Sequence, residues 1–311
     1  MIDVTLIGTS ALLPIPERAL TAAVLFCEGH SILFDCGEGT QTAARKAGVS
    51  LMRMDIIALT HYHGDHVFGL PGLLQSMHNA ERTETLYITG PEGLTTELEP
   101  ILKLARHKHM SYAIVPIEIP ANGLQLSELN CGWSAATKLS AFKTEHYVPS
   151  QGYCFELRRA GKFLPERAKA LGVPINQWKI LQRGQSILLD GETILPAQVL
   201  GEPRRGLKFV FTGDTTACEN LIDAAAGADL LICEATFAKD DQTQMAAEYG
   251  HMTFAQAATV AKRADIKELW LAHYSQRIKR PQDFLPNATK IFPNTVAGRD
   301  GMSTTLKFNS E

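Results

Sequence analysis

The 311-residue sequence predicts an α/β fold in which a sheet-rich core is covered by helices. In both halves of the chain, short apolar runs typical of strands alternate with stretches of helical periodicity. Residue types that bind metal ions follow several of the predicted strands, at the edge where α/β sheets bind ligands. The same pattern therefore predicts the fold class and the position of a functional site.

The predicted elements of the first half are separated by turn signals. Strands are predicted at 4–7, 22–27, 31–34, 55–59 and 86–89, and helices at 39–47, 66–77 and 91–106. Pro91 falls in the first turn of the last helix, where proline is favoured. From 112 to about 157 the pattern is again mainly β.

The second half repeats this style. Apolar strand-like runs at 208–212, 229–233 and 268–272 are separated by helical ones. The helix at 253–264 has the clearest start, because Thr253 and Gln256 have the spacing of a capping box. We expect one domain over residues 1–311.

Composition limits the function classes. Hydrophobic residues make up 45% and charged residues 20% of the chain, as in ordinary globular proteins. A net charge of −3 argues against a generally basic nucleic-acid coat, so a polyanion would have to meet a local patch. The six cysteines form no C-x-x-C pair, the start has no signal-peptide pattern, and no stretch is long enough to span a bilayer. A cytoplasmic protein with no membrane partner is expected.

The segment from Thr60 to His66 carries the strongest chemical signal. It places His61, His63, Asp65 and His66 directly after an apolar run. Neutral imidazole and carboxylate suit zinc and its neighbours. With alternate residues pointing the same way, His61 and His63 can hold one ion, and Asp65 and His66 can turn toward a second.

Further candidate ligands come at the ends of other predicted strands. A single histidine at such a place is more often structural, but several metal-type residues at several strand ends indicate a shared rim. These residues are His146, Asp214, Glu234 and His273.

An insert at about 158–205 interrupts the second half. A short helix at 165–171, stopped by Gly172, and a hairpin around Asp190-Gly191 are predicted within it. Its excess of basic side chains fits either a solvated surface excursion or a polyanion-binding arm, and the sequence leaves both open. The basic residues are Arg158, Arg159, Lys162, Arg167, Lys169, Lys179 and Arg183.

The motifs, taken together, resemble those of the metallo-β-lactamase superfamily and, within it, the ribonuclease Z family of tRNA 3′-processing endonucleases. The H-x-H-x-D-H pattern and the Gly213-Asp214-Thr215 turn are superfamily features. The segments 34–41, 69–74, 211–215, 234–237 and 250–253 are similar to ribonuclease Z over nearly the whole chain. The resemblance implies an αββα sandwich, two β-sheets flanked by helices, with an inserted basic arm.

The resemblance also implies residue roles. His61, His63 and His146 would hold a first divalent ion, while Asp65, His66 and His273 would hold a second, bridged by Asp214. Glu234 and His251 would form a pair that assists the leaving oxygen. Ser275 and Arg277 match a segment that contacts phosphate.

The implied activity is hydrolysis of a phosphodiester in precursor tRNA, which removes the 3′ trailer and leaves a 3′-hydroxyl. Two divalent ions, most simply zinc, with manganese, iron or cobalt as alternatives, would activate a water that Asp65 orients. In the family a protruding arm grips the tRNA from the partner subunit, which implies a homodimer. The loop that helps sense the 3′ end keeps Pro14 and Arg18 of the family pattern but lacks its lysine and asparagine.

Two other functions remain open from the residues alone. A small-molecule hydrolase of the same superfamily (a phosphodiesterase, arylsulfatase or lactonase) would need the same metals but no basic arm. An RNA-binding protein with a decayed catalytic centre would need the arm but not the complete ligand set.

Overall fold

A computed structural model of the protein describes residues 1–120 and 122–308. Two seven-stranded β-sheets face each other, and helices cover the outer side of each. The predicted αββα sandwich is confirmed.

The first sheet contains seven strands from the two ends of the chain. They are β1 (Ile2–Gly8), β2 (Ala22–Cys27), β3 (His30–Phe34), β4 (Ile56–Ala58), β5 (Leu86–Thr89), β6 (Ile114–Ile117) and β16 (Met302–Leu306). Their order is β16-β1-β2-β3-β4-β5-β6, and β3 to β6 run parallel.

The second sheet is built from the later part of the chain. Its strands are β7 (Leu124–Gln125), β8 (Thr137–Lys143), β9 (Gln151–Arg159), β12 (Arg204–Phe211), β13 (Leu230–Glu234), β14 (Leu269–Ala272) and β15 (Thr295–Ala297). Their order is β15-β14-β13-β12-β9-β8-β7. Strands β12 to β15 are parallel, and β8 has the same direction because β9 is antiparallel to both β8 and β12.

Eleven α-helices are present in the described residues. They are α1 (Thr40–Lys46), α2 (Gly64–Val67), α3 (Leu70–Asn79), α4 (Leu94–Leu104), α5 (Pro165–Ala170), α6 (Ile175–Gln182), α7 (Pro196–Val199), α8 (Glu219–Ala225), α9 (Thr243–Glu248), α10 (Phe254–Arg263) and α11 (Pro286–Thr289). The apolar faces of α1, α3 and α4 cover the first sheet, and those of α8 and α10 cover the second.

Aromatic side chains fill the space between the sheets. The Phe34 ring contacts those of Tyr153, Phe209 and Phe211 at centroid distances of 5.8, 5.5 and 5.4 Å, and all four are buried. Because Phe34 belongs to one sheet and the other three to the second, this contact fixes how the sheets lie on each other.

Two predicted helices differ from the observed ones. The helix expected at 66–77 is broken into α2 and α3 at Gly69, where an added Cβ would lie 2.0 Å from the carbonyl oxygen of Gly37. The helix expected from Pro91 begins only at Leu94, after Gly93 with φ of 92°. The helix at 253–264 was predicted correctly, and the Thr253 hydroxyl accepts a hydrogen bond from the Gln256 amide at 3.2 Å.

The insert between β9 and β12 has an interior of its own. It contains α5, α6 and α7 and a hairpin of β10 (Ile187–Leu189) and β11 (Glu192–Ile194), which turns at Asp190-Gly191 as predicted. Its buried side chains are Ala168, Val173, Leu181, Ile187, Ile194 and Val199. The base of the insert is closed where the Gly201 amide donates to the Lys162 carbonyl at 2.8 Å.

None of the helices in the described part of the chain is both long and apolar enough to cross a bilayer.

Candidate metal centre and its surroundings

The candidate ligands converge on one rim, at the carboxyl ends of strands from both sheets. His61 and His63 lie in the loop after β4, and Asp65 and His66 lie in the short helix α2 that follows. From the second sheet, His146 follows β8, Asp214 follows β12 and His273 follows β14. Within the second sheet β8, β12 and β14 share a direction, so the residues that follow these strands reach one edge.

A first cluster consists of His61, His63, His146 and Asp214. One ligand atom from each lies within 4.8 Å of the others. His61 Nε2 is 2.9 Å from His63 Nδ1 and 3.7 Å from Asp214 Oδ2.

A second cluster consists of Asp65, His66 and His273, again within 4.8 Å. Asp214 lies between the two clusters, because its Oδ1 is 3.1 Å from His273 Nε2 and 3.5 Å from His66 Nε2. Asp65 Oδ2 lies 3.5 Å from His66 Nε2 and 3.6 Å from His273 Nε2.

Several polar atoms of this rim are buried without a hydrogen bond. They are the Nε2 atoms of His66, His146 and His273 and Oδ1 of Asp214. An unsatisfied buried polar atom costs about 1–3 kcal/mol, so four at one place require a compensating group. Imidazole nitrogen and carboxylate oxygen that converge in this way fit divalent transition-metal ions.

The electrostatics of the rim favour positive charge. Burial lowers the pKa of His61 to about 2 and lowers the pKa of His63 and His146, so these imidazoles are neutral and can act as ligands. Burial disfavours the charged forms of Asp65 and Asp214, but the neighbouring histidines outweigh it and hold the pKa of both carboxyls below the usual range.

A buried carboxylate behind the rim orients two of the histidines. Asp35 Oδ2 accepts hydrogen bonds from His66 Nδ1 and from the Thr60 hydroxyl, both at 2.8 Å, and Oδ1 accepts one from the Thr60 amide at 2.7 Å. The Thr60 oxygen in turn lies 3.1 Å from His61 Nδ1. One side chain therefore fixes a ring in each cluster and leaves both Nε2 atoms facing the rim.

Asp35 and Thr60 were not predicted as functional residues. The available signal was that Asp35 follows β3 directly, as the candidate ligands follow their own strands. Asp35 also has φ of 58°, a backbone conformation that aspartate tolerates better than most residues.

His146 depends on a glycine. Its Nδ1 donates to the carbonyl of Gly250 at 3.0 Å. Gly250 has φ of 67°, and an added Cβ would lie 2.6 Å from His146 Nδ1. A larger residue at 250 would therefore displace the ring.

Glu234 connects the rim to His251. Its Oε1 accepts a hydrogen bond from His251 Nδ1 at 2.9 Å, and its Oε2 accepts one from the Thr236 hydroxyl at 3.1 Å. The Thr236 oxygen lies 3.0 Å from His273 Nδ1. Burial opposes a charged His251, but Glu234 outweighs it and raises the pKa of His251 to about 9.

Two backbone segments border the rim. The Leu12 amide donates to Asp65 Oδ2 at 2.8 Å. Ser275 and the exposed Arg277 follow His273, and the buried Arg18 holds this segment by donating to the carbonyls of Ser275 and Ile278 at 3.3 and 2.7 Å. Neither the Leu12 contact nor the anchoring role of Arg18 was predicted.

The basic residues of the insert are not part of the rim, and several are held by contacts within the protein. Arg158 donates to the Gln125 side chain, Arg159 lies over the Phe308 ring at 4.8 Å, and Arg167 donates to the Leu200 carbonyl at 3.4 Å. Lys169 pairs with Glu166 at 3.1 Å. Lys162, Lys179 and Arg183 are exposed.

Comparison with known proteins identifies the family to which the chain is similar. A family model described as a beta-lactamase superfamily domain matches residues 30–274. The chain is 40% identical to the ribonuclease Z of Lachnoclostridium phytofermentans over 99% of both chains, and 40% identical to that of Agathobacter rectalis over the full length of both.

Solved structures agree with the sequence relatives. The short form of human tRNase Z is 30% identical, with a TM-score of 0.68, and the match covers 98% of this chain and 100% of that one. The metallo-beta-lactamase fold protein YhfI from Bacillus subtilis, 20% identical over 97% of this chain and 98% of its own, has the same fold with a TM-score of 0.67.

We predict that Asp35→Asn weakens divalent-metal binding by about 10- to 100-fold, because His66 loses its carboxylate acceptor and Thr60, which lies against His61, loses the carboxylate that holds it. Competition with a fluorescent chelator measures the affinity. Asp55→Asn is the matched control, since Asp55 lies at the opposite end of β4 and accepts from the Ser31 amide. Equal affinity in both variants would show that Asp35 does not orient the ligands.

Proposed function

This chain is a member of the ribonuclease Z family, and on that premise we propose that it is a metal-dependent endoribonuclease that removes the 3′ trailer from precursor tRNA. Its product would be a tRNA with a 3′-hydroxyl. The observation that carries the proposal is the Glu234–His251 pair beside the ligand rim around Asp214, because phosphodiester hydrolysis needs both an activated water and a proton for the departing oxygen.

We propose that the rim holds two divalent ions, with zinc as the first choice and manganese, iron or cobalt as alternatives. His61, His63 and His146 would hold one, Asp65, His66 and His273 the other, and Asp214 would bridge them. When bound, such ions activate water and neutralise phosphate charge. The orphaned Nε2 atoms and the fixed Nδ1 partners support this assignment.

Asp65 and His251 would divide the proton transfers between them. The Asp65 carboxylate, held by the Leu12 amide, would align the attacking water and accept its proton. His251, charged through its contact with Glu234, would donate a proton to the ribose 3′-oxygen. Because its Nδ1–H is bound to Glu234, the proton on Nε2 is the one that His251 would give.

Ser275 and Arg277 would bind the phosphate next to the cleaved bond. The Arg277 guanidinium is exposed, and the Arg277 amide donates to the Ser275 hydroxyl at 3.3 Å. The anchoring of this segment by Arg18 supports a fixed position for the phosphate contact.

The two rival functions are less well supported. A hydrolase of a small substrate would not explain the folded basic insert or the full-length identity to proteins named ribonuclease Z. An RNA-binding protein with a decayed centre would not retain the complete ligand set.

We propose that the insert at 158–205 is an RNA-binding arm that serves the site of a partner subunit in a homodimer. Its base joins Arg159 of β9 and Arg204 of β12, and β12 leads from there to the rim over eight residues. At about 3.3 Å per residue, the base lies on the order of 25 Å from the centre in its own chain. The exposed Lys162, Lys179 and Arg183 would contact phosphates.

We also propose that the enzyme works in the cytoplasm. All six cysteines are free thiols, which suits a reducing compartment.

The purified protein is expected to cut a 3′-extended precursor tRNA directly after the discriminator base, and a chelator should abolish the reaction. Mapping of product ends measures both. Asp65→Ala should lower turnover by at least about 100-fold and leave the affinity for the RNA unchanged, because the water loses its orienting group. Cleavage at another position, or none, would favour the small-substrate hydrolase.

His251→Ala is expected to lower kcat on natural RNA by about 10²- to 10⁴-fold, through loss of the proton for the leaving oxygen. A substrate with sulfur in place of the bridging 3′-oxygen needs no such proton. On it the variant should approach the wild-type rate in single-turnover assays. An equal loss on both substrates would mean that His251 does not act as the acid.

Replacement of residues 163–199 by a short linker is expected to lower precursor tRNA cleavage strongly. Hydrolysis of the small substrate bis(p-nitrophenyl) phosphate should remain unchanged. Mixed with Asp65→Ala subunits, this variant should regain activity, to about one quarter of the wild-type value per chain if subunits exchange freely. A precursor cleavage assay measures the recovered activity, and sedimentation measures whether dimers form. No recovery in proven mixed dimers would show that the arm does not act across subunits.

A further inference from the structure

Tyr147 is an exposed aromatic side chain that directly follows a candidate metal ligand. Its exposed fraction is 67%, although it lies beside a rim whose histidines are largely buried. Its ring lies against the rings of His146 and His63, at centroid distances of 4.1 and 5.3 Å. One face of the phenol is therefore supported by the first ligand cluster, while much of the ring remains open to solvent.

The other neighbour of Tyr147 is the turn that leads to His251. An added Cβ at Gly250 would lie 3.3 Å from Tyr147 Cδ1, so the tyrosine ring passes close to this backbone. His251 follows, and its ring centroid is 5.4 Å from that of His146. Tyr147 thus lies beside the first ligand cluster and beside the turn that leads to the group assigned to the leaving oxygen.

We propose that Tyr147 is a stacking platform for an unpaired nucleobase next to the cleaved phosphate. This inference rests on the proposed function, since it concerns the same site. The two bases that flank the cut are attached to the nucleotides joined by the cleaved phosphate. The exposed Tyr147 ring borders the rim where this phosphate would bind, so one of these bases could reach it. Aromatic side chains bind single-stranded RNA by stacking, and the contact accepts any base because every base has a π face.

Stacking explains the exposure better than a purely structural role does. A tyrosine that only covered the histidines would gain by burying its ring, whereas this ring presents most of its surface outward. Its hydroxyl has no hydrogen-bond partner in the described residues, so the ring rather than the oxygen is the part of the side chain that is fixed.

The test combines protein variants with abasic substrates. Tyr147→Ala should lower kcat/KM on precursor tRNA by about 5- to 150-fold, and Tyr147→Phe should keep it within about twofold. Tyr147→Leu, which keeps an apolar side chain without a π face, should lose most of the same factor. Two abasic substrates are compared, one lacking the base on the 5′ side of the cut and one lacking the base on its 3′ side. One of them should lower kcat/KM of the wild-type enzyme by the same factor as Tyr147→Ala does on the intact substrate. On that abasic substrate, Tyr147→Ala should cause no further loss.

The metal content of the Tyr147→Ala variant distinguishes base stacking from a structural role in positioning the ligands. If Tyr147 only positioned His63 and His146, Tyr147→Ala would lower bound metal in elemental analysis and its defect would persist on both abasic substrates. Either result, or wild-type cleavage by Tyr147→Ala, would overturn the inference while the wild-type enzyme still supports the proposed function. Failure of the wild-type protein to cut precursor tRNA would overturn both.

Discussion

The rest of the site depends on a concentration of buried negative charge, centred on Asp214. This carboxylate is almost fully buried, and Asp65 lies close to it on the other side of His66 and His273. Two ionised carboxylates at this depth are unfavourable unless positive charge lies between them. Burial disfavours a charged His66, but Asp214 and Asp35 outweigh it and raise the pKa of His66, whereas burial keeps His61 and His146 neutral. The carboxylates thus favour positive charge at the rim, and bound cations would in turn favour a substrate that brings negative charge.

The fold supports this arrangement through strand direction. β4 belongs to one sheet and β12 and β14 to the other, yet the carboxyl ends of all three lie at the same edge of the sandwich. The ring contacts of Phe34 with Phe209 and Phe211 hold the sheets in this relation. The hydrogen bonds of Asp35 and Thr236 then set the angles of the His66 and His273 rings, so that packing determines position and hydrogen bonding determines orientation.

Much of the candidate site could be predicted from the sequence, because the candidate ligands either share one short motif or follow strands with clear apolar patterns. The supporting residues could not be predicted in the same way. Asp35 reaches Thr60 because β3 and β4 are parallel neighbours, and this pairing could not be predicted from the sequence. The break at Gly69 depends on its contact with Gly37, and the place of Tyr147 depends on where Gly250 returns to the rim. Each of these depends on a long-range contact, which no local pattern specifies.

The insert has its own apolar interior and joins the sandwich through two adjacent strands. A module attached in this way can change its length, charge or tip without disturbing the packing that holds the ligands. Evolution, or a designer, could therefore exchange the insert, the proposed RNA-binding arm, and keep the rim, turning one hydrolytic scaffold toward different macromolecules.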